Sequence, residues 1–227
     1  MTKPSSSLAH KKHSVLIVDD HPVVRDWLTR MIRQEADMDV CGGADNVDDA
    51  IRSVKGLKPD IIIVDISLRG KSGLELIRFL TDQNPDENIL VYSMHDEAVY
   101  TTRALRAGAR GHVSKREPTD KVLLAIRRIL AGGVYVSEAV AETLATGLSR
   151  KKNAAMADDV HLLSDRELEV FRLLAAGRET SEIAKELSVS IKTVQSYCAR
   201  IKEKLNFRNA TELLQAATRW VDAQNIR

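Results

Sequence analysis

The sequence has few of the residues that mark several specialised classes of protein. Its 227 residues include 2 cysteines, 5 prolines and 4% aromatic residues, beside 44% hydrophobic and 29% charged residues. Two distant cysteines, Cys41 and Cys198, argue against a disulfide framework and a zinc site, so we expect two small buried thiols in a reducing compartment. The balance of apolar and charged residues indicates a soluble globular protein, and the length is sufficient for two domains.

Long hydrophobic runs are also missing. No apolar run approaches the roughly 20 residues that a membrane-spanning helix needs. The first residues, MTKPSSSLAHKKHS, are polar and basic and unlike a secretory signal, so we expect a short disordered tail, a cytoplasmic protein and no membrane partner. The absence of a GxxxxGK[ST] loop argues against nucleotide binding.

Positive charge is concentrated near the end of the chain. The net charge is +2 overall. Residues 1–147 contain 20 Lys and Arg against 21 Asp and Glu, which gives −1, and residues 148–227 contain 14 against 11, which gives +3. Between Lys192 and Arg208 five cations face one anion, Glu203. Such a stretch is either a solvated helix face or a surface for an anionic partner.

The first half of the chain alternates apolar strands with amphipathic helices. Segments such as SVLIVDD, DIIIVD, NILVYS and GHVSK predict strands, and five βα units precede residue 133. Apolar strands without polar alternation predict a parallel sheet that helices cover on both faces, an open doubly wound (βα)5 fold. We expect no strand after Gly133, one helix in VSEAVAETLATGL, and a polar linker in SRKKNAAMADDVHL.

The second half predicts helices alone. Four helical segments, at about 165–176, 180–187, 191–205 and 209–223, each follow a Ser, Thr or Asn that suits a helix cap,. The predicted organisation is therefore an α/β domain at 13–131, a linker with one helix at 132–159, and an all-α four-helix domain at 160–223.

Acidic residues end the predicted strands of the first domain. Asp19 and Asp20 follow SVLIV, and Asp65 follows DIIIV. Because the carboxyl ends of neighbouring parallel strands lie close together, these carboxylates would crowd and favour a hard divalent ion such as Mg²⁺. Ser93 and Lys115 end later strands, and the five groups together suit phosphoryl transfer with an aspartate nucleophile. Taken singly, each acid would more often be a helix cap or a surface residue.

This set resembles the response-regulator receiver domains of two-component signalling, which have a flavodoxin-like fold, over residues 13 to 131. The matching residues are Asp19-Asp20, the block VDISLRGKSGLEL with Asp65, Ser93 in VYSMHDE, and Lys115 in GHVSK. The resemblance implies that Asp65 accepts a phosphoryl group from a sensor histidine kinase. It implies a Mg²⁺ site in which Asp20, Asp65 and the backbone carbonyl of Ser67 bind the ion and Asp19 acts through water. It also implies that Ser93 and Lys115 bind the phosphoryl oxygens, and that His112 occupies the place of a switch ring. Met94 and His112 depart from the usual pattern.

The segment 190–205 forms a two-sided helix at 100° per residue. Val194, Cys198, Ile201 and Leu205 share an apolar face, which predicts packing for Cys198. The opposite side and its edges carry small, amide and cationic side chains that suit bases and phosphates in a DNA major groove. The candidate DNA contacts are Lys192, Thr193, Gln195, Ser196, Ala199, Arg200 and Lys204. TSEIAKELS and the SVS turn precede this helix, as in a helix-turn-helix.

Residues 160–223 resemble the LuxR-type DNA-binding domain. The marks include Ser164, Arg166, Glu167, Gly177 and the Lys192-Thr193-Val194 run. Together the two halves resemble the NarL/FixJ class of transcriptional response regulators. That resemblance implies a protein that binds double-stranded DNA, dimerises on phosphorylation, and does no enzymatic work beyond transferring a phosphoryl group to its own Asp65.

Two other functions remain open on the sequence. An aspartyl-phosphate phosphatase would use Asp65 as a turnover nucleophile, although such enzymes usually carry an acid two residues later, where this chain has Ser67. A degenerate receiver would bind DNA without phosphorylation. The sequence names no kinase, promoter or dimer interface.

Overall fold

The computed structural model describes residues 12–94, 98–138, 140–142 and 160–225. Five strands alternate with five helices in the first half of the chain, as the sequence predicts. The strands are β1 (His13–Val18), β2 (Met38–Ala44), β3 (Ile61–Val64), β4 (Ile89–Ser93) and β5 (Gly111–Ser114). The helices are α1 (Pro22–Arg33), α2 (Val47–Leu57), α3 (Gly73–Gln83), α4 (Ala98–Arg106) and α5 (Thr119–Leu130).

All five strands pair in parallel, in the order β2-β1-β3-β4-β5. β3 and β4 are buried along their whole length, because helices cover both faces of the sheet. One apolar cluster joins the sheet to α1 and α5, and another joins it to α2, α3 and α4. The predicted doubly wound fold is confirmed. Parallel pairing brings the carboxyl ends of β1, β3, β4 and β5 to one edge of the sheet.

Two local features fix the backbone at this edge. α1 begins with Pro22 after His21, so Asp20 is not the cap of that helix. α3 starts very close to the end of β3, because a Cβ atom added at Gly73 would lie 2.0 Å from the carbonyl oxygen of Asp65. Glycine is therefore required at position 73 for the loop that follows Asp65 to fold back tightly.

The free side of β5 is covered by one further backbone contact. Tyr135 forms an isolated parallel bridge with Gly111, and the amide of His112 donates a hydrogen bond to the Tyr135 carbonyl at 2.9 Å. The sequence predicted no strand after Gly133, and this single bridge is a small departure from that prediction. Residues 138 and 140–142 are helical. Most of the predicted linker lies outside the described residues.

The second half is helical, in agreement with the prediction. A 3₁₀ turn (Val160–Leu162) precedes α6 (Asp165–Ala175), α7 (Thr180–Glu186), α8 (Ile191–Lys204) and α9 (Ala210–Asn225). These bounds differ from the predicted ones by at most two residues. Ser164 and Glu167 form a reciprocal capping box at the start of α6, and the Ser190 side chain caps α8. Both contacts satisfy amides that a helix start leaves free.

The four helices bury a common apolar core. Phe171 and Trp220 lie in contact with ring centroids 5.9 Å apart. On α8, Val194 and Ile201 are fully buried while Cys198 and Leu205 are partly buried, so the predicted packing face is confirmed. In the described part of the chain, no helix is both long and apolar enough to span a membrane.

Candidate functional site

Lys115 connects the acids that end β1 and β3. Its Nζ atom lies 2.6 Å from Oδ2 of Asp19 and 2.6 Å from Oδ2 of Asp65. All three side chains are at most 8% exposed. The lysine therefore forms a buried ion pair with two carboxylates at once, which offsets the repulsion between them.

Asp20, Asp65 and Asp19 share one pocket, as the sequence predicts. Together with His21 they offer ligand atoms that all lie within 4.8 Å of one another. Asp19 and Asp65 are buried, whereas Asp20 is partly exposed. An acidic cluster of this size and donor type has the geometry to hold a metal ion.

Ser67 and Ser93 lie beside the Asp65 carboxylate. The amide of Ser67 donates a hydrogen bond to Oδ1 of Asp65 at 3.3 Å, and a hydrogen bond from Ser93 lowers the Asp65 pKa. Ser93 is completely buried. The two serines and Lys115 thus surround one carboxylate with hydrogen-bond donors.

Burial sets the protonation of the central groups. It raises the pKa of the Asp65 carboxyl above its ordinary value; Lys115 opposes this increase, and the charge of Asp19 adds to it,. Burial alone would lower the pKa of Lys115, but the charges and hydrogen bonds of Asp65 and Asp19 outweigh it and raise that pKa. Lys115 is therefore a cation at neutral pH, and its charge opposes the effect of burial on Asp65.

His112 and Met94 border this site without joining the acidic cluster. His112 is buried on β5, three residues before Lys115. Met94 follows β4 and is exposed. The ring of Tyr92 also lies near the cluster, with its centroid 5.9 Å from Nζ of Lys115.

His21 is a member of the cluster that the sequence reasoning missed. Its Nδ1 atom lies 2.8 Å from Oδ1 of Asp20 and 3.2 Å from Oδ1 of Asp19, and its side chain is 66% exposed. Arg69 also approaches Asp20, at 3.4 Å. The available signal was the position of His21 directly after two acids at a strand end.

The second site is the outer face of α8. The candidate DNA-contact residues Lys192, Gln195, Ala199, Arg200 and Lys204 are exposed, and Thr193 and Ser196 are partly exposed. α7 and α8 are joined by a turn in which Ser188 adopts a positive φ of 53°. The predicted cationic and amide-bearing face of α8 is therefore open to a partner in this arrangement.

Three residues on this face also make local contacts. Arg200 lies over the ring of Tyr197, with 5.5 Å between its guanidinium carbon and the ring centroid. The Ser196 hydroxyl donates to the carbonyl of Lys192 at 2.9 Å. Nζ of Lys204 lies 2.6 Å from Oε2 of Glu167, so this lysine ties α8 to α6 as well as facing outwards.

Comparisons with known proteins match both halves of the chain. The family model for the response regulator receiver domain matches residues 15–127, and the model for bacterial regulatory proteins of the luxR family matches residues 161–217. The oxygen regulatory protein NreC of Staphylococcus aureus is 35% identical over 207 residues, which are 89% of this chain and 95% of NreC.

Solved structures agree with these matches. RcsB of Salmonella enterica serovar Typhimurium, bound to promoter rprA in the presence of the phosphomimetic BeF3⁻, is 27% identical with a TM-score of 0.60, covering 92% of this chain and 99% of RcsB. A structure of two RcsB dimers bound to two parallel DNAs is 26% identical with a TM-score of 0.57, covering 92% and 98%.

Proposed function

Because the chain belongs to the response regulators that join a receiver domain to a LuxR-type DNA-binding domain, we propose that phosphorylation of Asp65 controls its binding to DNA. We assign the receiver to residues 13–131, the linker to 132–159 and the DNA-binding domain to 160–223. The observation that carries the proposal is the Lys115 ammonium, 2.6 Å from carboxylate oxygens of both Asp19 and Asp65 in an enclosed pocket.

Asp65 is the phosphoryl acceptor in this proposal. One carboxylate oxygen bonds to phosphorus while the P–N bond of a phosphohistidine on the sensor kinase breaks, and the released imidazole takes up a proton. The Lys115 ammonium is placed to donate to the phosphoryl oxygens, and Ser93 is close enough to add its hydroxyl. Both groups offset charge on the oxygens that transfer.

The residues present fit a bound Mg²⁺. The ion takes oxygen ligands, and Asp19, Asp20 and Asp65 supply carboxylates within 4.8 Å of one another, to which we add the backbone carbonyl of Ser67. When bound, the ion would neutralise charge on the transferring phosphoryl group. Asp19 keeps its contact with Lys115 and accepts a hydrogen bond from the His21 amide at 2.8 Å, so this chain's own residues orient it.

The response to phosphorylation begins with the groups that contact the new charge. Ser93 and Lys115 are drawn toward the phosphoryl oxygens, and His112, buried on β5, acts as the switch ring. The shift then reaches α4 and α5, which flank β5. This is a population shift between two arrangements of the receiver, and it favours a homodimer.

DNA binding belongs to α8 in this proposal. Gln195, Ser196 and Ala199 meet base edges, and the cationic side chains meet phosphates. The proposed phosphate and flanking contacts are Lys192, Thr193, Arg200 and Lys204. A two-fold dimer would place two such helices about 34 Å apart on a palindromic site. A sensor histidine kinase, double-stranded DNA and a second copy of the chain are the partners, and the cytoplasm is the compartment.

Intact-mass analysis tests the phosphoryl acceptor directly. Acetyl phosphate and Mg²⁺ should add one phosphoryl group to the wild type and none to Asp65→Asn, and EDTA should prevent the addition. Phosphoryl on Asp65→Asn in equal amount would show that another residue is the acceptor. Steady release of phosphate without accumulation on the protein would favour a phosphatase instead.

A further inference from the structure

The DNA-binding domain contacts the loop that directly follows the proposed phosphoryl acceptor. The Ser67 hydroxyl donates a hydrogen bond to Oε1 of Glu169 at 3.1 Å, and Arg166 donates one to the carbonyl of Leu68 at 3.1 Å. Arg166 and Glu169 form an ion pair at 2.6 Å. Both are at most 5% exposed. The first helix of the DNA-binding domain therefore lies on residues two and three positions after Asp65.

A second set of contacts anchors the same helix to α3 and α4. Asp165 pairs with Arg103 at 2.9 Å and with Arg78 at 2.7 Å. Arg103 also donates to the carbonyls of Leu163 at 2.7 Å and Val160 at 3.1 Å. Arg103 is thus a single receiver side chain that makes three hydrogen bonds to the start of the DNA-binding domain.

A narrow cleft of about 130 Å³ remains between the two domains at this point. The receiver lines it with residues of the acidic pocket and its loop, and the DNA-binding domain lines the other side with α6, α7 and the turn after α7. The lining residues are Asp20, His21, Ser67, Leu68, Glu169, Arg172, Leu173, Glu186 and Leu187. On this side, a molecule that approaches Asp20 passes along a wall made by the second domain.

We propose that the docked DNA-binding domain is the outer wall of the phosphorylation pocket and sets the rates at which phosphodonor enters and water reaches the aspartyl phosphate. The inference rests on the proposed function of Asp65. Glu169 is the positioning residue of this wall, because it holds the Ser67 side chain in the cleft. Arg103 supplies three of the hydrogen bonds that hold this wall, so its removal should increase the undocked fraction.

The wall and the DNA-binding surface are different faces of one domain. α6 meets the receiver, while Lys192, Gln195 and Arg200 on α8 stay exposed. Docking therefore restricts chemistry at Asp65 without covering the face that would read DNA. If phosphodonor and water reach Asp65 only when the DNA-binding domain is undocked, the rates of phosphorylation and of hydrolysis are both proportional to the undocked fraction. Weakening the docking therefore raises both rates together.

The test compares full-length variants that differ in the anchor. The anchor is the contact between Arg103 and Asp165. Arg103→Ala removes it from the receiver side, and Asp165→Asn removes it from the DNA-binding side. Agreement between the two variants excludes a folding defect in one of them as the cause. Arg127→Ala is the matched control, because Arg127 pairs with Asp37 and Glu35 inside the receiver. Small-angle scattering reports docking, and intact mass over time reports phosphorylation by acetyl phosphate and subsequent hydrolysis.

Both anchor variants should expand in scattering, and both rate constants should rise about tenfold if the lost contacts increase the undocked population by that factor. The Arg127→Ala control should match the wild type in both measurements. Expansion with unchanged rate constants would contradict the claim that the docked domain limits access to Asp65. Unchanged scattering in both variants would contradict the claim that the contact between Arg103 and Asp165 holds the two domains together. Failure of every variant and the wild type to take phosphoryl would contradict the proposed function itself, while scattering would still report on docking.

Discussion

At the scale of single residues, the molecule concentrates charge where burial makes charge costly. Asp65 and Asp19 are buried together, and the Lys115 ammonium is the cation that contacts both. Two buried carboxylates against one ammonium leave a net negative pocket, so a bound cation lowers the free energy of the folded state. The proposed function thus uses an arrangement that costs stability when no cation is present.

Asp65→Asn should therefore stabilise the metal-free protein at neutral pH. An acid whose pKa is raised by folding destabilises the fold above that raised pKa, and the cost disappears as the pH falls below the unfolded value. We expect a gain in the free energy of unfolding at pH 7, because folding raises the pKa of Asp65, and this gain should shrink toward pH 4. Thermal denaturation across this pH range measures it.

Added Mg²⁺ should make the wild type more stable than Asp65→Asn. The wild type should gain stability with increasing Mg²⁺, because ligand binding to the folded state adds stability by mass action, and Asp65→Asn should gain less. Asp86→Asn is the control, since the Asp86 side chain is 95% exposed and lies before the start of β4, at the opposite edge of the sheet from the carboxyl ends that hold the acids. Equal responses of all three proteins to Mg²⁺ would contradict a metal site at Asp65.

At the scale of elements, a buried glutamate fixes the start of α6. Burial raises the pKa of Glu167, but the hydrogen bonds from Lys204 and from the Ser164 cap outweigh it, so the pKa of Glu167 is lowered. An acid with a lowered pKa stabilises the fold above its unfolded pKa, and this contribution is lost as the pH falls through the folded pKa. Glu167 thus links the capping box to the end of the proposed DNA-reading helix.

Glu167→Gln should destabilise the DNA-binding domain by about 1 kcal/mol at pH 7, because glutamine keeps a capping acceptor but loses the charge beside Lys204. The difference should shrink as the pH falls below the unfolded pKa of glutamate and be lost once the pH is below the lowered pKa of the folded state,. Urea unfolding followed by Trp220 fluorescence in a Trp27→Phe background measures it. Glu182→Gln, in the more exposed capping box of α7, should show a clearly smaller effect; equal losses would mean that the Lys204 contact contributes nothing.

Two substitutions on α8 should separate base reading from phosphate contact. Gln195→Ala should cost about 1–3 kcal/mol of discrimination at one base pair. Arg200→Ala should weaken binding similarly on all sequences and reduce the slope of log affinity against log salt by about 1. Fluorescence anisotropy on a selected site and on single-base variants distinguishes the two patterns. A uniform loss for Gln195→Ala would remove it from the base-contacting set.

Elements were predictable from sequence because their signals are local. Each of these signals spans only a few consecutive residues or turns. Examples are the apolar run Ile61–Val64, the capping residues Ser164 and Ser190, and the apolar face of α8. The gathering of Asp19, Asp20 and Asp65 was also predictable, because parallel strands bring their carboxyl ends to one edge. The described structure confirms the fold class and this cluster.

The contacts that sequence could not supply join residues far apart in the chain. Ser67 and Glu169 are 102 residues apart, and Arg103 and Asp165 are 62 apart. No periodicity or spacing links such pairs, because each residue reads locally as an ordinary polar position on a loop or helix. The same holds for Tyr135, whose bridge to Gly111 depends on where the chain returns after α5.

At the scale of the whole molecule, two domains share an interface while the proposed DNA-reading face stays open. The receiver contacts α6 through Ser67, Leu68 and Arg103, so the DNA-binding domain is held at the edge of the sheet that carries the acids. Because the outer face of α8 stays exposed, the control of DNA binding that we propose acts through the placement of the two domains relative to a second copy of the chain rather than through direct burial of α8.

The central claim is that phosphoryl on Asp65 changes the affinity of the full chain for its DNA site. The most direct measurement is a mobility-shift titration of the wild type and Asp65→Asn on one selected palindromic site, with Mg²⁺, with and without acetyl phosphate. Acetyl phosphate should tighten binding by the wild type about tenfold, as expected for a coupling of 1–3 kcal/mol, and leave Asp65→Asn unchanged. Equal affinity of the wild type in both states, with Asp65 shown to be phosphorylated, would contradict the account.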